Sequence, residues 1–464
     1  MREHNNIIDA FRKLAKDKPN ADSGLRNPDK PAQVITNRQI SDDELFEIAR
    51  LIVAAEIAKI HTTEWTTQLL YDEPLYLAMN ANWSGVFSKK PMLAQFTRDV
   101  AQILRQSPST KESNQLFSAF AAGGGIVGLN TTNHFGSPFN FPEEFISVYR
   151  LHPLVPDMIE FRDIGDPNVI TRRIPVIDTF RAKATAQMRT GGLADWALSM
   201  GRQRLGLLTL QNHPQFLQNL DLRPRLDTKI DVAALDIIRD RERGMARFNE
   251  FRRQLGLRQL TSFDDFIDAR LPEGSPELAS QRKLIATLRE VYGQHRCDAS
   301  KIITAAQRDP DGKEINDCLG HADGSTVDNI EDVDIVVGYL AEMTRPHGFA
   351  ISETQFHLFI LNAARRLFSD RFFTSDFRPA FYTQFGIDWV TNNGPSVQWE
   401  DGEPNGHRQE ILPFKRILQR AIPELGGELT HVVNAFDPWG RNRGDYYSLD
   451  WKARADAMND PAFK

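Results

Sequence analysis

The stretch Pro142-Glu-Glu-Phe-Ile-Ser-Val-Tyr149-Arg-Leu-His152-Pro-Leu-Val-Pro156-Asp157 is tightly constrained, because prolines bound it at both ends. Pro142 suits the first position of a helix, where no backbone donor is needed. Glu143 and Glu144 put negative charge in the first turn, where the helix dipole favours it. Pro153 and Pro156 limit the far end, since proline lacks the N–H that a helix interior uses. The spacing predicts a helix from which Tyr149 and His152, three apart, project on one face. Phe145 and Val148 share those turns. A tyrosine and a histidine placed this way are either packed core or a metal-ligating imidazole beside a redox-active phenol, and the residues alone leave both open.

Composition narrows the partners. The chain has 464 residues, enough for one large domain or two to three ordinary ones. A net charge of -6 implies no strongly basic face and argues against a nucleic-acid partner. Two cysteines cannot make a disulfide framework, which fits a reducing compartment. The start, Met1-Arg-Glu-His-Asn-Asn-Ile, has no apolar core of a secretory signal. No window approaches the ~18 apolar residues of a spanning helix. The expectation is a cytoplasmic chain, with peripheral contact with a membrane left open and oligomeric state unassigned.

Helical periodicity dominates. Ile7, Ile8, Phe11 and Leu14 recur at helical spacing without an N-cap, as if the helix began upstream of the first residue. Ser41-Asp-Asp-Glu44 is a capping box before a long apolar pattern running to about Leu70. Helices are expected over Leu93 to Leu104, Ile177 to Arg189, Leu284 to Val291, Ile335 to Met343, Ser352 to Leu367 and Phe414 to Ile422. Thr261-Ser-Phe-Asp-Asp reads as another helix start, and short strands fit between Phe161 and Ile177. Ala121 to Gly128 is rich in glycine, but it lacks the flanking Lys-Ser/Thr of a phosphate cradle and reads as a tight-packing loop. Gln294 to Asp328 is polar and reads as an inserted loop. The stretch Leu235 to Arg253 is dense in charge and reads as a solvated, salt-bridged helix. Gly244 within it and Asn249 between two phenylalanines are at odds with a free surface helix.

Several residue sets admit a functional and a plain reading. His61 and Thr66, five apart, lie about 140° apart on an α-helix and so flank one side of it. They suit a carboxylate ligand; equally, His61 and Trp65 simply pack together. Arg365-Arg366 offers a guanidinium fork for a carboxylate, or two solvated cations. His295-Arg-Cys297 and Cys318-Leu-Gly-His321 have zinc-type ligands at spacings that match no common finger. Incidental residues, a local disulfide and a metal site all stay open. Asp309-Pro-Asp-Gly-Lys-Glu314 has only the flavour of a calcium loop, because the later ligands fail.

Taken together, these stretches resemble one family. Glu144 to Asp157 resembles the Tyr-x-x-His haem segment of the peroxidase–cyclooxygenase superfamily. Leu235-Asp-Ile-Ile-Arg-Asp-Arg-Glu-Arg-Gly-Met-Ala-Arg-Phe-Asn249-Glu-Phe-Arg-Arg253 is similar to that superfamily's charged Arg-Gly…Asn segment. Lys59-Ile-His61-Thr-Thr-Glu-Trp-Thr66, Met79-Asn-Ala-Asn-Trp-Ser-Gly85, Gly348 to Thr354 and Ala364-Arg-Arg366 to Ser375 resemble one branch in particular, the fatty-acid α-dioxygenases.

The resemblance implies a single, mainly α domain over 1–464 with the cyclooxygenase-like haem peroxidase fold, carrying 294–328 as an insertion. It implies haem b, with His152 as the proximal ligand of the iron and Asn249 as the partner of His152. Tyr149 would be the phenol oxidised to a radical. His61, Thr66 and Arg366, with Arg365 as the fallback, would hold the carboxylate of a long-chain fatty acid. O2 would then add at the α-carbon to give a 2-hydroperoxy acid, and a fixed distance between carboxylate and phenol would choose that carbon. In the family a long amino-terminal part carries the distal haem histidine and a calcium site. This sequence has neither, His4 stands in the wrong motif for that histidine, and the expectation is a domain that lacks its amino-terminal part. Two other readings remain: a haem peroxidase acting on small reductants, and a haem-free helical scaffold.

Overall fold

A computed structural model describes residues 1–69, 79–80, 83, 141–180, 182–223, 227–297, 318, 321, 324–343, 345, 350–373, 376–401 and 408–439. The helix expected over Leu93 to Leu104, the glycine-rich stretch 121–128 and the segment 309–314 lie outside them, as does most of the stretch 79–85. The described residues are mainly helical, and their strands form only two-stranded antiparallel ladders. Among them no helix is long and apolar enough to cross a membrane. The chain divides into two compact units. The first comprises Met1–Phe139, Met158–Arg204 and Ala364–Lys464, and the second Asn140–Asp157 and Leu205–Ala363.

In the first unit the helix Asp42–Ile60 starts where its capping box says. Ser41 Oγ accepts from the Glu44 N–H (3.2 Å) while the Ser41 N–H donates to the Glu44 carboxylate (2.8 Å). Its buried stripe, with Leu45, Ile48 and Ile52, packs with Ile7 and Phe11 of the helix Arg2–Asp17 and with Trp389 of the helix Pro379–Thr391. Each such side chain withdrawn from water contributes roughly 1.5–3 kcal/mol. The approach to the last helix is close, because a Cβ on Gly386 would stand 2.9 Å from Ile52 Cδ1. The expected strands appear as the hairpin Met158–Phe161 and Arg172–Pro175, which pairs Ile159 with Ile174 and buries Phe161 against Trp196. The helix expected from Ile177 is instead a 3-10 turn, Val176–Thr179, followed by the helix Lys183–Gly191.

The second unit corrects the reading of the charged stretch. It is two helices, Val232–Glu242 and Phe248–Gln254, broken where Gly244 takes a φ of +68°. A residue with a Cβ adopts that conformation only with strain. Nor is the second helix a solvated face. The Arg252 guanidinium, 3% exposed, reaches Glu342 (2.7 Å), Thr354 Oγ1 (2.8 Å) and Glu353 (3.0 Å). Arg253 reaches Glu331 (2.9 Å), and Arg241 and Arg247 share the buried Asp334 carboxylate. Phe248 beds on Gly338 of the helix Ile335–Ala341, where any Cβ would fall 2.1 Å from its ring. The helix start read at Thr261 yields only the 3-10 turn Phe263–Phe266. The inserted loop begins and ends in a hairpin, Gln294–Arg296 with Thr326–Asp328.

A buried acid pair in the first unit makes stability depend on pH. Glu3 and Glu56 both accept from Trp389 Nε1 (3.2 and 3.1 Å) and both face the Arg420 guanidinium (2.5 and 3.4 Å). Burial, and then the neighbouring Glu3 carboxylate, raise the Glu56 pKa above its ordinary value of 4.5. As pH climbs, the unfolded chain ionises first. The stability a neutral Glu56 contributes is therefore complete below about 4.5 and is lost as pH rises through the folded pKa. Glu56→Gln should melt with the wild type at pH 4 and roughly 2–4 °C above it at pH 8. An equal shift at both pH values would mean that ionisation of Glu56 is not the cause.

Candidate active site

Tyr149 and His152 do not share an α-helix. The helix ends at Val148 (Glu143–Val148), Tyr149 caps it, and His152 opens the 3-10 turn His152–Leu154. Pro153 lacks the N–H that would bond back to Tyr149 O, and its ring clashes with that carbonyl, so an α-helix does not run on through His152. The two side chains are held by tertiary contacts instead of by helical spacing. The Tyr149 ring joins Phe145 and Phe359 in a three-ring cluster, with centroids 5.2 and 5.7 Å from it and 5.9 Å between the two phenylalanines. It is still 37% exposed, and partial burial raises the pKa of its phenol.

The ring of His152 meets a carboxylate. Its Nδ1 lies 3.3 Å from Asp236 Oδ2, and the other oxygen of Asp236 faces Arg150 Nε at 3.2 Å. Asp236 is buried. In the neutral ring, an Nδ1–H turned toward this carboxylate would leave the lone pair on Nε2. One turn further along the same helix, Asp240 accepts from Ser147 Oγ (2.7 Å), and burial raises its pKa. The buried Tyr339 hydroxyl donates to the carbonyls of Ser147 (3.0 Å) and Arg150 (3.4 Å), and the Gln355 amide donates to that of Val148 (2.7 Å). The segment thus hangs on four side chains from three helices. His213 stands edge-on to His152 at 5.8 Å, beside a cavity of about 90 Å³ that both line. A few waters fill that volume, and a macrocycle does not. Burial, followed by repulsion from His152, lowers the pKa of His213.

Asn249 is not brought to His152. Its amide nitrogen donates to Leu260 O (3.0 Å) and Glu331 (2.6 Å), and its oxygen accepts from the Leu260 N–H (2.9 Å). Asp236 occupies the place the sequence reading gave to Asn249. Sequence reasoning counted Asp236 only as one charge in a run. The available signal was its spacing, since Asp236 and Asp240 are four apart and so share one helix face.

His61 and Thr66, in the first unit, are closer than an α-helix would put them. His61–Trp65 is a π-helical turn, in which the Thr66 N–H bonds to His61 O. That i to i+5 register turns a spacing of five into one full turn. Thr66 Oγ1 then lies 3.5 Å from His61 Nδ1 and donates to His61 O at 2.7 Å. The plain reading holds as well, since the His61 and Trp65 rings stand 4.6 Å apart. Burial lowers the His61 pKa. Arg366 is half-buried on the helix Glu353–Ser369, and Arg365 precedes it there. The cysteines form a disulfide, Cys297–Cys318, with Cα atoms 5.7 Å apart.

The pattern of the animal haem peroxidase family matches residues 1–302 and 324–396. The chain belongs to this family, which implies a haem cofactor. It is 34% identical over 412 residues to the α-dioxygenase PIOX of Oryza sativa subsp. japonica, covering 86% of this chain and 53% of that protein. It is 33% identical to α-dioxygenase 2 of Arabidopsis thaliana, covering 95% and 54%. The chain therefore spans about half the length of the curated relatives it matches. The crystal structure of the Oryza sativa fatty acid α-dioxygenase aligns with a TM-score of 0.63 at 30% identity, over 95% of this chain and 56% of that one. A variant of that enzyme with palmitic acid aligns with a TM-score of 0.64 at 29% identity, over the same shares. The mainly helical peroxidase fold read from the sequence is the fold observed.

Removing one side of the Asp236 bridge tests the support. Asp236→Asn takes a carboxylate away from the half-buried Arg150 and from His152, which should cost about 1–3 kcal/mol. A urea midpoint that moves by less than the equivalent of about 1 kcal/mol would mean that the segment does not depend on this carboxylate.

Proposed function

We propose that this chain oxygenates long-chain fatty acids at the carbon next to the carboxylate, giving 2-hydroperoxy acids in a haem-dependent reaction with O2. The observation that carries this reading is the Tyr149–His152 segment. It sets a stacked phenol three residues before an imidazole turned by a buried carboxylate, in a chain whose relatives are α-dioxygenases.

The donor set at His152 is of the kind that ligates a haem iron, while the cavity of about 90 Å³ that His152 lines is too small to take the macrocycle. An imidazole that gives its Nδ1–H to a carboxylate presents Nε2 as a ligand of fixed direction and raised basicity. His152 would hold the iron of haem b, with Asp236 in the partner's role that the resemblance gave to Asn249. When bound, the haem supplies the one-electron oxidation that no ordinary side chain provides. Tyr149 takes the C2 hydrogen as an atom, since that C–H is not acidic enough for a protein base. O2 adds to the carbon radical, and the peroxyl radical takes a hydrogen atom back from the phenol. The balance is one O2 inserted into one C–H bond, with the phenoxyl radical restored. The two phenylalanine rings clustered against Tyr149 support its orientation.

His61, Thr66 and Arg366 are proposed to take the acid's carboxylate, with Arg365 as the fallback. Because burial lowers its pKa, His61 stays neutral at neutral pH and acts as a hydrogen-bond donor, which leaves the charge to arginine. This carboxylate set favours a fatty acid over small reductants.

Added haemin should give the purified chain a Soret band that His152→Ala abolishes. A band that His152→Ala leaves unchanged would overturn the ligand assignment. With palmitate, oxygen uptake should fall to background in Tyr149→Phe while the Soret band stays. Uptake at the wild-type rate in that variant would refute the radical role.

A further inference from the structure

We propose that His295, Cys297 and Cys318 form a thiol-gated site for a zinc-type divalent cation, closed while the disulfide stands and open when it is reduced. The three ligand atoms lie within 4.8 Å of one another. The hairpin explains the convergence. His295 and Cys297 are two apart on an extended segment and so face the same way, and Cys297 is tied into the ladder by its N–H to Ser325 O (2.8 Å). Cys318 comes from the other end of the loop.

The histidine is already set as a ligand. Asn329 donates its NH2 to Tyr292 O (2.7 Å), which turns its Oδ1 toward His295 Nδ1 (2.5 Å). An oxygen acceptor there requires the proton on Nδ1, so Nε2 presents its lone pair, and it does so 3.5 Å from Cys318 Sγ. Zn–N of ~2.05 Å and Zn–S of ~2.3 Å at a tetrahedral angle give an N···S edge of ~3.6 Å. The Nε2···Sγ separation therefore already has the length of one edge of a zinc tetrahedron. A bonded disulfide offers no thiolate, so the oxidised site cannot close around a metal.

The chemistry balances without the proposed oxygenation. A dithiol of the thioredoxin class, or two glutathione-class thiols, gives two electrons and two protons to the disulfide and is itself oxidised to a disulfide. The two new thiols release two protons as Zn2+ forms two Zn–S bonds, and His295 Nε2 adds a third bond. Water takes the fourth position. Cys318 falls in residues 303–323, which the family pattern leaves unmatched, while His295 and Cys297 lie within the matched residues.

The test uses the whole chain, made metal-free, in two forms: oxidised, and reduced with a phosphine. Each is titrated with Co2+ and then with Zn2+ as competitor. The sequence has only two cysteines, so a thiolate-to-cobalt charge-transfer band reports this site alone. The reduced chain should show the band at one Co2+ per chain, Zn2+ should displace it, and the oxidised chain should show none. Asn329→Ala keeps all three ligands and should weaken affinity by roughly 10–100-fold. His295→Ala should weaken it by at least that much. No band in the reduced wild type would overturn the proposal, as would one metal per two chains or equal affinity in His295→Ala. The wild-type titration decides even if a variant fails to fold.

Discussion

The buried Asp236 carboxylate is the contact on which the candidate site depends. It gives one oxygen to Arg150 and the other to His152, two residues of the segment that carries the phenol. A buried charge is costly unless paired, so the carboxylate, the guanidinium and the imidazole each need the others in place. The Tyr149–His152 segment, with Pro153 next to it, is too short to hold its own shape. Tyr339 and Gln355 secure the backbone at Ser147, Arg150 and Val148, and Asp240 holds the Ser147 hydroxyl. All four supports lie 84 to 207 residues beyond the residues they hold. A short irregular segment is thereby fixed by non-local contacts, which is how a site gains a defined geometry without regular secondary structure.

What was legible in the sequence was local. The capping box at Ser41 to Glu44, the amphipathic helices near Ile335, Ser352 and Phe414, and the strand pair after Met158 follow from short-range rules, and they appear close to where the pattern puts them. The misses arose where a backbone choice or a distant partner decides. Pro153 removes the helical bond to the residue four before it, so the helix ended at Val148 and not at the proline. The π turn at His61–Trp65 differs from an α turn by one hydrogen-bond register, which side-chain periodicity over five residues does not encode.

The charged stretch shows why composition cannot separate a solvated helix from a buried ion-pair network. Arg252 and Arg253 look like surface residues until Glu342 and Glu331, some eighty to ninety positions on, come to meet them. The same limit applied to the cysteines. Disulfide, metal and chance were all open in the sequence, because the separation of Cys297 from Cys318 fixes no geometry. The hairpin Gln294–Arg296 with Thr326–Asp328 supplies it, by closing the two ends of the loop on each other.

Exchanging an amide for a carboxylate behind His152 has a chemical consequence. An asparagine oxygen accepts from Nδ1 as a neutral dipole, while a carboxylate does so with a full charge in a poorly solvated place, and a charge-assisted bond is the stronger. A ligand backed by Asp236 is therefore more electron-rich than one backed by Asn249 would be, which favours the more oxidised state of any metal it holds. Arg150 tempers the effect, because it draws on the same carboxylate from its other oxygen. The amide of Asn249, freed from that task, braces Leu260 and Glu331, and through Glu331 it is coupled to Arg253 of its own helix. Asp236 stands against the imidazole of His152, while Asn249 ties the charged helix to Leu260 and Glu331 of its unit.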